Sequence, residues 1–167
     1  MSAVSVSRLL AGVLALPTLL LASACEPAPT PPSNDNFAAA TVLPSLAQGP
    51  TTASTVGATR QQGEPAAPAT TTVWFRWTAP TSGAVAFTAS SGLPMLVEPF
   101  TGSSVSSLRR VITDDAIGKA VFRTSAGTSY DLRVTSVVGS GSFTMKWASA
   151  AAPVNDQQTS PTAISGS

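Results

Sequence analysis

Candidate catalytic side chains are few in this chain of 167 residues. It contains no histidine and a single cysteine, Cys25, so Ser–His and Cys–His nucleophile pairs and histidine metal sites are excluded. Asp114 and Asp115 are neighbours in a predicted turn, where such carboxylates accept hydrogen bonds from backbone amides rather than flank a cleft. Glu98 and Asp131 stand singly in predicted strands and are expected to face solvent. The residue types therefore predict a protein that is not an enzyme and has no cofactor.

Cys25 carries the clearest chemical signal. Residues 1–24 contain one basic residue, Arg8, followed by an apolar run too short to span a bilayer, as in an export signal peptide. Cys25 directly follows Ala22-Ser23-Ala24, and a lone cysteine in an exported protein has no partner for an internal disulfide. This neighbourhood resembles a bacterial lipobox, in which the cysteine thiol is alkylated with diacylglycerol. It departs from that pattern at Ala22, where leucine is most frequent.

The start of the chain leaves two interpretations open. A lipobox predicts acyl chains on Cys25, each buried methylene contributing ~0.8 kcal/mol, and hence a lipoprotein anchored in a membrane of the cell envelope. Ordinary signal-peptidase cleavage after Ala24 predicts a secreted protein instead. In either case residues 25–33 hold the cysteine and a linker with four prolines, which favours an extended spacer.

Composition and charge restrict the class of protein and its partners. Charged residues make up 10% of the chain and aromatic residues 6%, and small and β-branched residues dominate, which favours an exported all-β domain. The net charge is +1, and a balanced surface does not drive counterion release from a phosphate backbone. We therefore expect membrane lipid, through Cys25, and an extracellular polysaccharide or protein as partners, and no nucleic acid.

Alternating apolar residues predict the main elements. A short helix over Asn36 to Val42, capped by Asn34 or Asp35, is expected first. Gly139-Ser140-Gly141 is predicted as a hairpin turn between the last two strands. Seven or eight strands at this spacing predict an antiparallel β-sandwich, behind a signal helix and between disordered flanks. The strand candidates are residues 71–80, 83–90, 95–100, 107–113, 119–124, 129–138 and 142–149.

Trp74 is the candidate for ligand stacking. Alternation in the strand at 71–80 places Val73 and Trp77 on one face and Trp74 on the other. If the second face is open, Trp74 would stack on a sugar ring or on a partner's side chain. If the segment from Phe37 to Leu46 covers that face, Trp74 is structural, and this is the interpretation we favour.

Four motifs together resemble the bacterial pre-peptidase C-terminal domain. The resemblance covers residues 34–149 and implies a jelly-roll-like β-sandwich. It also implies an accessory module without catalysis, which occurs singly or in repeats on secreted and surface proteins, often beside peptidases. The motifs are Asn34-Asp35-Asn36-Phe37-Ala38, Gly57-Ala58-Thr59 with Gly63-Glu64-Pro65, Val73-Trp74-Phe75-Arg76-Trp77-Thr78-Ala79-Pro80, and Ala126-Gly127-Thr128-Ser129-Tyr130.

The departures from this family bear on calcium. Pro94-Met95 and Gln61 stand where the family usually has polar or acidic residues, and its Asn-Asp-Asp turn survives only as Thr113-Asp114-Asp115. Asp114 and Asp115 are therefore weak calcium candidates, because Ca²⁺ takes about 6 to 8 oxygen ligands and gains affinity from each carboxylate.

The tail of the chain echoes the start of the domain. Residues 153–162, PVNDQQTSPT, resemble residues 32–41, PSNDNFAAAT, at a period that suits one sandwich plus a linker. Residues 150–167 are thus predicted to be a linker and the start of an incomplete second repeat, with chance similarity in a low-complexity tail as the alternative.

These signals predict a non-catalytic cell-envelope lipoprotein that displays an accessory β-sandwich. Two alternatives are open. One is the amino-terminal fragment of a secreted multidomain hydrolase or peptidase. The other is a carbohydrate-binding module that acts through Trp74.

Overall fold

The computed structural model describes residues 27–46 and 50–150. The predicted signal peptide (1–24), Cys25 and nearly all of the predicted second repeat (151–167) lie outside the described residues. Within the described residues, no helix is long and apolar enough to cross a membrane. The strands are β1 (Thr41–Leu43), β2 (Thr51–Ser54), β3 (Thr72–Thr78), β4 (Gly83–Ser90), β5 (Met95–Thr101), β6 (Arg109–Arg110), β7 (Asp114–Ala116), β8 (Lys119–Thr124), β9 (Ser129–Ser136) and β10 (Ser142–Ser149), with 3₁₀ helices at Phe37–Ala39 and Val105–Ser107.

The strands form two five-stranded sheets. Sheet A has the order β1-β3-β9-β5-β6, and sheet B has the order β2-β10-β4-β8-β7. All strand pairs are antiparallel except β1 with β3, which run parallel. The predicted all-β sandwich is confirmed. The described residues hold more than seven or eight strands because β1, β2 and β7, of three or four residues each, are too short to show an alternating pattern.

The predicted hairpin at Gly139 is wrong. β9 pairs with β3 on one side and β5 on the other, so it has no free edge for β10. β10 pairs instead with β2 and β4 in the opposite sheet. Gly139, at φ 68°, therefore turns the chain from one sheet to the other.

The main core lies between the sheets and follows the predicted alternation. Val73, Phe75 and Trp77 of β3 are buried there, together with apolar residues of β4, β8, β9 and β10. Phe87 is at its centre, with ring centroids 5.3 Å from Trp77 and 5.8 Å from Phe122. Period-two burial in β4, β8 and β10 leaves the outer face of sheet B to solvent-exposed and half-buried residues.

Two predicted elements differ from the structure. The helix expected over 36–42 is a 3₁₀ helix at Phe37–Ala39 followed by β1, because the expected caps bond elsewhere: Asn34 to Trp74 and Asp35 to Thr59. The strand expected over 107–113 is reduced to β6.

Sheet A is covered on both faces. On its outer face Phe37, Trp74 and Phe100 form a second apolar cluster, with Val105 and Leu108 packed against it. In β9 every residue after Ser129 is buried for this reason. Phe37, Glu64 and Trp74, from three of the four sequence motifs, meet in this outer layer.

Candidate functional site

Trp74 is completely buried in the outer layer of sheet A, with 0% of its surface exposed. Its indole Nε1 donates to Glu64 Oε1 at 3.1 Å. Phe37 meets the ring edge-on at a centroid distance of 5.4 Å, and Phe100 lies 5.9 Å away. Trp74 therefore offers no stacking surface to a ligand, because the 3₁₀ helix that begins at Phe37 covers it.

Glu64 holds the Gly-Glu-Pro turn against sheet A. Its Oε1 accepts hydrogen bonds from the Gln61 backbone N–H, the Thr72 hydroxyl and the Trp74 indole, each at 3.1 Å. Its Oε2 has no hydrogen-bond partner and lies 3.6 Å from Arg133 Nη1. The carboxylate is thus occupied in fastening a loop to a strand.

Arg133 of β9 is the buried cation of this layer, with 0% exposure. Its Nε and Nη2 donate to Glu98 Oε2 at 3.0 and 2.7 Å. Nη1 donates to the Pro65 carbonyl at 2.6 Å and Nη2 to the Ala66 carbonyl at 3.1 Å. All three guanidinium nitrogens therefore have an acceptor, as a buried charge requires.

Glu98 was expected to face solvent, and this is wrong: it is 7% exposed and paired with Arg133. At the rim, Arg110 Nη2 lies 3.8 Å from Glu98 Oε1. In this layer the carboxylates of Glu64 and Glu98 therefore lie beside the guanidinium groups of Arg133 and Arg110.

Asp131 is the second acid whose predicted exposure is wrong. It is 2% exposed, and Arg76 Nε donates to its Oδ1 at 2.7 Å. Burial raises the pKa of the Asp131 carboxyl above its ordinary value, and the bond and charge of Arg76 only partly oppose this. The Arg76 guanidinium also lies 5.2 Å above the Phe37 ring.

The Asn-Asp-Asn-Phe motif fastens the start of the domain. Trp74 N–H donates to the Asn34 carbonyl at 2.9 Å, and Asn34 Nδ2 donates to the Trp74 carbonyl at 3.0 Å. The Asp35 carboxylate accepts from the Thr59 N–H at 2.5 Å and from the Thr59 hydroxyl at 2.7 Å. The hydrogen-bonding capacity of these motif residues is used inside the domain.

Asp114 and Asp115 lie in β7, an edge strand of sheet B, and not in a turn. Their backbones are in register with Val121 and Ala120, and the Asp114 side chain is exposed. Within residues 27–46 and 50–150, no group of three or more His, Cys, Asp or Glu side chains is placed to hold a metal ion.

A cavity of about 400 Å³ opens at one end of the sandwich, between the two sheets. Trp77 and Trp147 form part of its wall. Trp77 Nε1 donates to the Ser45 carbonyl at 3.1 Å, which holds the segment after β1 beside the opening. Trp147 is 4% exposed, and its Nε1 is closed to solvent and has no hydrogen-bond partner among the described residues.

No known protein family matches the chain by sequence profile, and no curated protein matches it. In fold, the chain is similar to the pre-peptidase C-terminal domain of a collagenase from Bacillus anthracis, with a TM-score of 0.43 and 13% sequence identity. The similarity covers 65% of this chain and 94% of that one.

The sequence indicated only Trp74 among the tryptophans as a candidate for ligand stacking, and it favoured a structural role for this residue. Its alternation assigned Trp77 to the core face correctly, and Trp147 likewise, so neither was considered as part of a binding site. The signal that places them at the cavity is their position along the strands. Trp77 and Trp147 each stand within two residues of a strand end, at Thr78 and Ser149. Core residues at the end of a sandwich form the wall of any opening between its sheets.

Proposed function

We propose that this chain is a non-catalytic, lipid-anchored protein of the cell envelope whose β-sandwich is an accessory binding module of the pre-peptidase C-terminal type. The observation that carries the proposal is that the motif residues make their hydrogen bonds within their own domain. Asn34, Asp35 and Glu64 spend their polar groups on the backbone and side chains of their own domain. Residues used in this way serve a scaffold, which supports an accessory module rather than an enzyme.

The anchor rests on the chain's one cysteine. Cys25 stands at the first position after Ala22-Ser23-Ala24, where the thiol of a lipoprotein is acylated. Acylation with two or more chains gives stable membrane attachment, whereas one chain gives only reversible binding. The described domain begins about ten residues later, so it would be displayed close to the membrane.

Fractionation of cells expressing the full chain tests the anchor. We expect the wild-type protein in the membrane fraction, labelled by fatty acid, and Cys25→Ser in the soluble fraction without label. Ser23→Ala, in the variable position of the cleavage motif, is the matched control and should remain anchored. A wild-type protein that is soluble, with a free thiol on its first mature residue, would refute the anchor.

Turnover assays test the absence of catalysis separately. The purified Cys25→Ser chain should release no products from casein, gelatin or soluble polysaccharides. If it does release products, and an Asp114→Asn variant loses that activity, the non-catalytic assignment is wrong.

A further inference from the structure

One end of the sandwich is closed by four connecting segments, here called the linker end: residues 55–58, 91–94, 117–118 and 137–141. Backbone N–H groups of these segments donate to carbonyls of a neighbouring segment or of the strand that follows it, at 2.7–3.0 Å. The four segments therefore form one continuous layer across the ends of both sheets. The donor–acceptor pairs are Thr55 with Gly141, Val137 with Pro94, and Gly118 with Met95.

Three large apolar side chains of the linker end face solvent. Ile117 is 74% exposed, Val138 64% and Val56 41%, and each lies on a different segment. Single exposed apolar residues are ordinary on a protein surface. These three, however, are half of the large apolar side chains that the described residues expose. Their concentration at one end indicates a surface that contacts a protein or a membrane.

The linker end has no charged residue of its own. Its four segments consist of Ser, Thr, Gly, Pro and apolar residues. The nearest charges along the chain from Ile117 are Asp115 on β7 and Lys119, the exposed first residue of β8. Moving a charged side chain out of water costs free energy. An end built from uncharged segments can therefore approach hydrocarbon without this cost.

The linker from Cys25 reaches the sandwich at this same end. The carbonyls of Pro29 and Thr30 lie so close to Gly57 that a Cβ there would come within 2.7 Å of the Thr30 oxygen. Thr30 is five residues after Cys25, and five residues of extended chain span at most about 18 Å. β9 runs away from the linker end for eight residues, or about 27 Å. An acylated Cys25 would thus hold the linker end close to the lipid headgroups and leave the opposite end further out.

We infer that the linker end is a membrane-contact surface, and that Ile117, Val138 and Val56 enter the interfacial region of the lipid layer that holds Cys25. The inference rests on the anchor in the proposed function and adds the face of the sandwich that meets the lipid. Lipid is the partner that the tether keeps within reach, which raises its effective concentration at this surface. Apolar side chains that enter the interface add to the attachment made by the acyl chains.

Fluorescent probes on the acylated protein test the contact directly. Ile117→Cys and Val138→Cys are each labelled with a polarity-sensitive fluorophore, since the acylated Cys25 thiol does not react. The protein is reconstituted in vesicles of phosphatidylethanolamine and phosphatidylglycerol. We expect both probes to show blue-shifted emission and quenching by lipids that carry a quencher near the headgroup. Leu46→Cys is the matched control and should emit as in water, because Leu46 is 69% exposed at the opposite end, beside the cavity between the sheets.

A double variant tests whether the apolar side chains make the contact. Ile117→Ser/Val138→Ser, labelled at Val56→Cys, should stay in the vesicle fraction through its acyl chains but lose most of the blue shift. Val42→Ser/Leu46→Ser, with the same label, removes two equally exposed apolar residues away from the linker end and should keep the shift. All of the substituted side chains are exposed, so urea unfolding should show little change in stability.

The outcomes separate this inference from the anchor. Acylated, vesicle-bound protein whose probes at Ile117 and Val138 emit as in water would refute the membrane contact and leave the anchor standing. Equal blue shifts at Leu46 and at the linker end would also refute it, because the sandwich would then have no preferred face toward the lipid. A Cys25 without acyl chains in the fractionation experiment would remove the tether and refute both proposals.

Discussion

Arg133 is the residue on which the outer layer of sheet A depends. Its guanidinium joins Glu98 to the carbonyls of Pro65 and Ala66, so one side chain connects β5, β9 and the Gly-Glu-Pro turn. We expect Arg133→Met to destabilise the protein by about 3–5 kcal/mol, because it leaves the buried Glu64 carboxylate without a counter-charge and removes the buried partner of Glu98. Urea unfolding followed by circular dichroism measures the loss.

Arg109→Met is the control for this experiment. Arg109 is an exposed arginine in β6, and its replacement should change the free energy of unfolding by less than about 0.5 kcal/mol. Similar losses in the two variants would show that burial of Arg133 is not what matters.

Asp131 predicts a pH dependence of stability. Its carboxyl has a raised pKa in the folded protein, mainly because it is buried, so the folded state binds the proton more tightly than the unfolded chain does. The resulting stabilisation is fully present below the unfolded pKa of about 3.8 and is lost as the pH rises through the folded pKa. Urea midpoints measured from pH 3 to 8 should therefore contain a contribution that decreases with rising pH, and Asp131→Asn should remove it. An Asp131 carboxyl that titrates below 3.8 by nuclear magnetic resonance would contradict the direction.

At the scale of elements, Gly57 determines how the proline-rich linker meets the sandwich. Gly57 has φ +72°, and a Cβ placed there would lie 2.7 Å from the Thr30 carbonyl oxygen. Gly127 has φ +76° with no atom within 4 Å of such a Cβ. We expect Gly127→Ala to cost about 1 kcal/mol from backbone strain alone, and Gly57→Ala to cost more, because residues 29 and 30 must move away.

Unfolding and limited proteolysis distinguish the two glycine variants. Gly57→Ala should be cleaved faster than Gly127→Ala in the segment 27–33. Equal losses of stability with equal cleavage would mean that the linker does not rest on Gly57.

Sequence patterns predicted the elements better than their arrangement. The period-two alternation of β3 assigned Val73 and Trp77 to the core correctly, because that alternation follows from which face of a sheet is buried. It does not specify which strands pair, and the sheet change at Gly139 was therefore missed. Glu98 was assigned to solvent because its partner Arg133 is 35 residues away and only tertiary structure joins them.

At the scale of the whole molecule, acidic and basic side chains differ in how far they are buried. Asp35, Glu64, Glu98 and Asp131 are buried, whereas most basic side chains of the described residues are exposed. The described residues therefore carry more basic than acidic side chains on their surface, and the net charge of +1 is not by itself a ground for excluding anionic partners. The exposed bases are Arg60, Arg109, Arg110, Lys119, Arg123 and Lys146.

The outer face of sheet B concentrates part of this excess. Thr88 is in register with Lys119 on one neighbouring strand and with Lys146 on the other, so the backbones of the two lysines lie about 10 Å apart, two strand spacings. At low salt that distance is within one Debye length, and the two charges act together on an anionic surface. We expect the Cys25→Ser chain to be retained on a cation exchanger at pH 7 and Lys119→Gln/Lys146→Gln to elute at lower salt. Asp114→Asn, which removes an exposed carboxylate at the edge of the same sheet, should elute at higher salt. A double variant that elutes with the parent chain would show that the protein does not bind the exchanger through this face.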